Sequence, residues 1–328
     1  PLLLILTALL LTTTAYAQTD DPYDEALHRS EVALASGATE LNLSLLGLTE
    51  LPPEVGNLTT ITRLNIGSNA LTTLPPEIGD LTALTRQPAS YNDLTTLPPE
   101  IENLTTLTSL NVNGNRLADL PPEIGNLTNL MTLYVENNRL TALPPQIGDL
   151  TSLRDLYASN NQLTALPPEI GTLTSLQGLY VDYNQLTALP PEIGMLTSLD
   201  TLHLGTNELT DLPPEIGALA SLTYFYANYN QLSALPTEVQ HMAALYWFDI
   251  YDNQLTTLVP LAGRIPQLSY FNAGYNPLVY PPPQVVAQGE AITLDFLRYP
   301  RAFPPYRLGA GLVWVVGTWA LLLAGVPR

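Results

Sequence analysis

Cysteine and lysine are absent from all 328 residues. Without cysteine there is no disulfide, no thiolate nucleophile and no thiolate metal site, and the redox compartment stays open. Without lysine no phosphate loop can be completed. Histidine occurs only at His28, His203 and His241, with no HExxH pair. These three fall on a terminal helix, a strand and a return segment, so they are not expected to converge. Positive charge is scarce as well: 11 arginines face 30 carboxylates, for a net charge of −19. Phosphate backbones and anionic lipid surfaces repel such a chain. The expectation is therefore a protein that is not an enzyme, takes no cofactor or metal, and has no nucleic-acid partner.

Long apolar runs are confined to the two ends. Residues 1–17, PLLLILTALLLTTTAYA, close on Ala15-Tyr16-Ala17, a small-x-small pattern that a signal peptidase could cut before Gln18. Leu308 to Val326 is a charge-free run of 19 residues, close to the roughly 20 that span a bilayer. It is expected to be a transmembrane helix, preceded by a proline-rich spacer, YPRAFPPYR, at 299–307. Arg298, Arg301 and Arg307 lie on its N-terminal side against Arg328 beyond it, which by the positive-inside tendency favours the reverse orientation. The leader decides the matter, because it commits the following domain to translocation first. The expectation is a membrane-anchored chain with its main domain outside the cytoplasm, or a secreted one if the C-terminal run is not a span.

Between the ends lies a repeat. The frame of LTALPPEIGTLTSLQGLYVDYNQ, Leu163 to Gln185, recurs every 23 residues from Leu48 to Leu255 without an insertion. A strict period of this size signals a solenoid in which each coil buries its apolar edge against its neighbours. Leu179-Tyr180-Val181 alternates in, out, in, as a short strand does. About eleven such strands, Leu41 to Phe271, would stack into a parallel ribbon on the order of 50 Å long. Pro190 and Pro191 then open a short helical or 3₁₀ turn with Glu192 near its start. The strand side is narrower than the return side, so the stack should curve with its strands on the concave face.

One column is invariant: Asn69, Asn92, Asn115, Asn138, Asn161, Asn184, Asn207, Asn230, Asn253 and Asn276. An amide buried at a turn both donates and accepts, satisfying main-chain groups that no regular ladder reaches. This column is read as architecture. So is the glutamate column from Glu54 to Glu238, which suits the start of a helical turn. Ahead of the array, DPYDEALHRSEVALA (21–35) reads as a capping helix with Ala26, Val32, Leu34 and Ala35 inward. One coil departs from the frame: Gln87 stands where an inward apolar residue belongs and Pro88 beside it. A proline inside a paired strand removes a ladder bond, so the stretch from Arg86 to Tyr91 should be distorted.

The units resemble leucine-rich repeats of the 23-residue LxxLPPEIGxLTxLxxLxLxxNx form, found in Ras-group-related, Scribble-like and Roco-type proteins. The resemblance covers Glu40 to about Leu278. It implies an α/β horseshoe that recognises other proteins, sometimes peptides or glycans, on its concave face. Asn276 to Arg298 also resembles the closing segment of bacterial arrays of this kind, where a helix covers the last coil. The domain organisation expected is a leader at 1–17, an N-terminal cap at 18–39, the array at 40–278, a cap and spacer at 279–307 and a membrane helix at 308–326.

The outward strand positions carry the functional signal. One column runs Asn65, Pro88, Asn111, Tyr134, Tyr157, Tyr180, His203, Tyr226, Asp249, Asn272. Tyr224, Trp247 and Tyr270 align two residues earlier, and Tyr183, Tyr229 and Tyr275 three residues later. With Tyr91, Tyr246 and Tyr251, twelve of 17 tyrosines fall on or beside the expected concave sheet. Rings at strand spacing form a platform with hydroxyl rims, a composition that anchors interfaces. Cross-strand stabilisation is the competing explanation, but the width of the cluster and the interspersed Asp155, Asp182, Asp200 and Asp252 favour binding. The candidate ligand-binding residues are Tyr134, Tyr157, Tyr180, Tyr183, His203, Tyr224, Tyr226, Tyr229, Trp247 and Tyr270. The expected partner is a protein or peptide, with carbohydrate binding, an adhesive spacer and an intracellular signalling scaffold as alternatives.

Overall fold

The computed structural model describes residues 21–258 and 265–289, with 291, 293, 295 and 297. The expected leader and the apolar run at 308–326 lie outside the described residues. Among the described residues no helix is long and apolar enough to cross a membrane.

Three-residue strands recur at the repeat period: β1 (Glu40–Asn42), β2 (Arg63–Asn65), β3 (Arg86–Pro88), β4 (Ser109–Asn111), β5 (Thr132–Tyr134), β6 (Asp155–Tyr157), β7 (Gly178–Tyr180), β8 (Thr201–His203), β9 (Tyr224–Tyr226), β10 (Trp247–Asp249) and β11 (Tyr270–Asn272). They form one eleven-stranded sheet in sequence order. Pairing is parallel and each residue faces its counterpart 23 positions on, as Tyr134 faces Tyr157. Nine 3₁₀ turns among the described residues, from Pro53–Asn57 to Thr237–His241, make the return side.

The central coil illustrates the local causes. Pro167 is extended and Pro168 opens the turn, where its missing N–H is not needed. Ile170 is fully buried, and the turn closes with Leu173 N–H on Ile170 C=O. Leu163, Leu166, Ile170, Leu173, Leu176, Leu179 and Val181 all point inward, each at most 3% exposed. Gly171 is set by contact between coils: a Cβ there would lie 2.6 Å from the Glu192 carbonyl of the next turn. Glu102 and Gln240 stand at the same position in their own coils, so two coils accommodate a side chain there.

The asparagine column is the seam. Asn161 Oδ1 accepts from Leu140 N–H of the preceding coil, while its Nδ2 donates to Val135 C=O of that coil and to Ala158 C=O of its own. The same triangle recurs along the stack, for instance at Asn184 and Asn207. At the N-terminal end Leu46 replaces the amide, and Asn69 Oδ1 alone accepts from the N–H groups of Leu46, Gly47 and Leu48.

Helix α1 (Pro22–Ser36) starts on Asp21, whose Oδ1 accepts from Tyr23 N–H, and stops at Gly37 in the left-handed region, φ 61°. Its buried face is Ala26, Ser30 and Ala33, which corrects the inner set expected from sequence. Positions 26, 30 and 33 share one helical stripe; Val32, Leu34 and Ala35 do not, and Val32 and Leu34 are each 54% exposed. Arg29 pairs with Glu25 and donates to Asn42 C=O, fastening the helix to β1. At the other end a short helix α2 (Pro283–Val286) and the buried Leu297 adjoin the core.

The departure at Gln87 is partly accommodated. The strand β3 forms, but its pairing to β2 shrinks to Arg63 with Arg86, whereas β3 and β4 pair over all three residues. Gln87 is 1% exposed and both ends of its amide lack a partner.

Candidate functional site

Every second strand residue leaves the core, so the third residue of each strand rises from the outward face of the sheet. From β5 to β9 that column reads Tyr134, Tyr157, Tyr180, His203, Tyr226, and parallel register superposes the rings. Tyr134 and Tyr157 stack with centroids 4.7 Å apart and planes 8° apart; Tyr157 and Tyr180 stack at 4.4 Å and 4°. His203 follows at 4.9 Å from Tyr180 and 4.1 Å from Tyr226, tilted against both. The ladder then steps across to the first strand position: Tyr226 lies 6.0 Å from Trp247, and Trp247 stacks on Tyr270 at 3.4 Å. It spans β5 to β11, six strand intervals or about 29 Å.

The rings need room beside them. At Gly178 a Cβ would meet the ring of Tyr180 at 2.7 Å and Asp155 Oδ1 at 2.7 Å. Tyr180 therefore folds over the bare backbone of its own strand. Asp155 is pressed into the same place, and burial pushes its carboxyl above the usual range despite the opposing charge of Arg154. His203 Nδ1 stands 3.5 Å from Asp182 Oδ2, and Asp182 also accepts from Gly205 N–H and Ser159 Oγ. The Trp247 indole N–H is buried with no acceptor.

Not every candidate joins the ladder. Tyr224 packs edge-on against Tyr246 at its margin. Tyr183 and Tyr229 lie one residue before the asparagine rung, in the left-handed region at φ 53°. Every coil has a left-handed residue there, from Leu45 through Gly114 to Tyr275. Tyr183 and Tyr229 are thus turn residues outside the ring stack, 58% and 49% exposed. Tyr229, Tyr251 and Tyr275 make a separate edge cluster, at 5.4 and 4.9 Å. The turn was detectable in principle, because Gly114, Asn137, Asn160 and Asp252 at that position are types that tolerate positive φ. Gly178, over which Tyr180 folds, and Thr201, which hydrogen-bonds Tyr180, carry no recognition signal of their own in the sequence.

Burial is the first cause that raises the phenols of Tyr157, Tyr180 and Tyr226 above their ordinary value of 10.0. Tyr157 is raised further by Tyr180 and Asp155. Tyr180 is raised by Asp155 and relieved in part by hydrogen bonds with Tyr157 and Thr201. The fold favours the neutral phenol, so this stability is complete below pH 10.0 and is lost as pH rises beyond it. Thermal melts should fall from about pH 10 upward, and Tyr157→Phe should flatten the decline. Ionisation of all tyrosines as one unshifted class in an ultraviolet titration would refute this.

Among the described residues no three or more His, Asp or Glu are grouped to hold a metal ion.

A family model for a leucine-rich repeat region matches residues 88–179 and 147–225. No curated protein matches the sequence. Among solved structures, a TDR receptor is 27% identical over 76% of this chain and 45% of its own, with a TM-score of 0.69. The functional domain of InlJ from Listeria monocytogenes is 27% identical over 74% of this chain and 54% of its own, TM-score 0.56. This chain thus spans about half the length of those two. An internalin (InlF) from the same species shares the fold at 21% identity, over 80% of this chain and 91% of its own, TM-score 0.52. The coils from 88 to 225, which match that family model and close each turn on an asparagine amide, are leucine-rich repeats.

Proposed function

We propose that this chain is a recognition module that binds a protein or peptide across the aromatic ladder of its sheet, exported and tethered to a membrane through Leu308 to Val326. Helix α1 and the segment around α2 serve as end caps, and the ladder lies on the concave side of the array. Similarity to a receptor, 27% identical over 76% of this chain, supports a binding role over an enzymatic one.

The observation that carries the reading is the face-to-face stacking of Tyr134, Tyr157 and Tyr180. Stacking hides the π-faces on which a sugar ring would lie, and leaves a row of ring edges and hydroxyls. Such a rim suits the mixed apolar and hydrogen-bonding surface of a polypeptide, held by rigid anchors of low entropy. That geometry favours a peptide over the glycan alternative.

The test is selection of a random peptide library on the immobilised full chain, alongside a glycan array. Wild type should enrich peptides, and the Tyr180→Ser/Tyr226→Ser double variant should bind them at least about tenfold more weakly with its melting cooperative. Enriched peptides that bind the double variant equally well would place recognition elsewhere. Binding of glycans alone would favour the lectin-like alternative.

A further inference from the structure

The N-terminal part of the same face carries opposite chemistry. Arg63 opens β2 and Arg86 opens β3; they are register partners and both are exposed. Glu40 is the other register neighbour of Arg63, yet neither arginine is among the ion pairs of the described residues, which are Arg29 with Glu25, Arg116 with Asp93, and His203 with Asp182. Like charges directly opposite in a sheet are destabilising. In a chain with 30 carboxylates and 11 arginines, two adjacent unpaired guanidiniums are the reverse of an arrangement that stabilises itself. Two such forks at strand spacing can close on one carboxylate.

The face is graded along the stack. After the arginines come uncharged Ser109, Asn111 and Asn113, and the ladder starts at Tyr134. From β3 to β5 is two strand intervals, about 10 Å. Beyond that point Asp155 and Asp182 border the rings and repel an acidic group. A bound peptide lying across the strands would meet a cationic end and an aromatic, acidic end.

We infer that Arg63 and Arg86 form a subsite for the carboxylate of an Asp or Glu side chain in the peptide that the ladder anchors, and that this contact sets the peptide's direction across the strands. The inference rests on the peptide-binding reading of the ladder. An extended peptide rises about 3.3 Å per residue, so the acidic residue lies roughly three to six positions from the anchored one.

The experiment is parallel selection of a random peptide library, displayed with its C-terminus fused so that only side-chain carboxylates are offered. The immobilised full chain is compared with Arg63→Gln/Arg86→Gln, Arg86→Lys and Tyr180→Ser/Tyr226→Ser. Wild type should enrich peptides with Asp or Glu at constant spacing from an aromatic or aliphatic residue. The double glutamine variant should lose the acidic bias and bind the wild-type peptides about tenfold more weakly, with a smaller salt dependence. Arg86→Lys, which keeps the charge and removes the fork, should fall between. Peptides enriched without acidic bias, or a bias that persists on the glutamine variant, would overturn the subsite while loss of binding on the tyrosine variant upholds the ladder. No enriched peptide on wild type would overturn both, as would binding of acidic glycans alone.

Discussion

Replacing Asn161 by alanine is expected to lower stability by about 2–4 kcal/mol, or the melting temperature by roughly 5–15 °C. The magnitude follows from which partners have a substitute. Val135 C=O also accepts from Asn138 Nδ2, and Ala158 C=O from Asn184 Nδ2, so both carbonyls keep one donor. Leu140 N–H has no such substitute, because it donates to Asn161 Oδ1 in a buried turn. Orphaning that donor is the larger loss, and the thinned carbonyl bonding adds to it. Asn161→Asp separates the two: the carboxylate can still accept from Leu140 N–H but cannot donate, and it buries a charge facing two carbonyls. It should melt at least as low as the alanine variant. An unchanged melt in either would remove the column from the architecture.

The same bonding predicts where the damage spreads. Each rung reaches back to the preceding coil, so a lost rung weakens one interface of a nearest-neighbour stack. Hydrogen exchange should rise first around Val135 to Leu140 and Ala158 to Leu163. At Asn69, only partly buried and serving the first coil, the same change should fray the N-terminal end and leave the central coils protected.

The register of the sheet was legible because a gapless period forces each residue opposite its counterpart: Leu179 can only face Leu156 and Leu202. The asparagine column was legible for the same reason, since a polar residue recurring among buried leucines needs a local hydrogen-bonding task. What did not follow were side-chain placements outside the simple alternation of the strands. Tyr183 and Tyr229 share the spacing of the platform but leave it, because the turn before the rung is left-handed. The packing of Tyr180 over Gly178 depends on a side chain that is not there. The inner face of α1 was misread because alanine and serine line it while larger residues point outward. A helix face made of small residues gives hydropathy little to report.

Gln87→Leu is expected to stabilise the protein by about 2–4 kcal/mol, an unusual sign for a core substitution. Gln87 occupies the inward strand position held by Leu64 in the coil before and Leu110 in the coil after, both buried. Its Oε1 and Nε2 are enclosed without partners, so folding strips water from an amide and returns no hydrogen bond. Leucine removes that desolvation loss and fills a similar volume with apolar contacts. The neighbouring Pro88 separates backbone from side chain. Pro88→Asn, the residue of Asn65 and Asn111 in the adjacent coils, restores an N–H to the strand and should widen the β2 to β3 pairing beyond Arg63 and Arg86. The two changes act on adjacent residues of one strand, so their effects need not add. If Gln87→Leu melts at or below wild type, the amide is satisfied in solution and the coil from Arg86 to Tyr91 is better built than its contacts imply. If it melts higher while the acidic bias in peptide selection is unchanged, the defect is one of packing, and the proposed subsite at Arg63 and Arg86 does not depend on it.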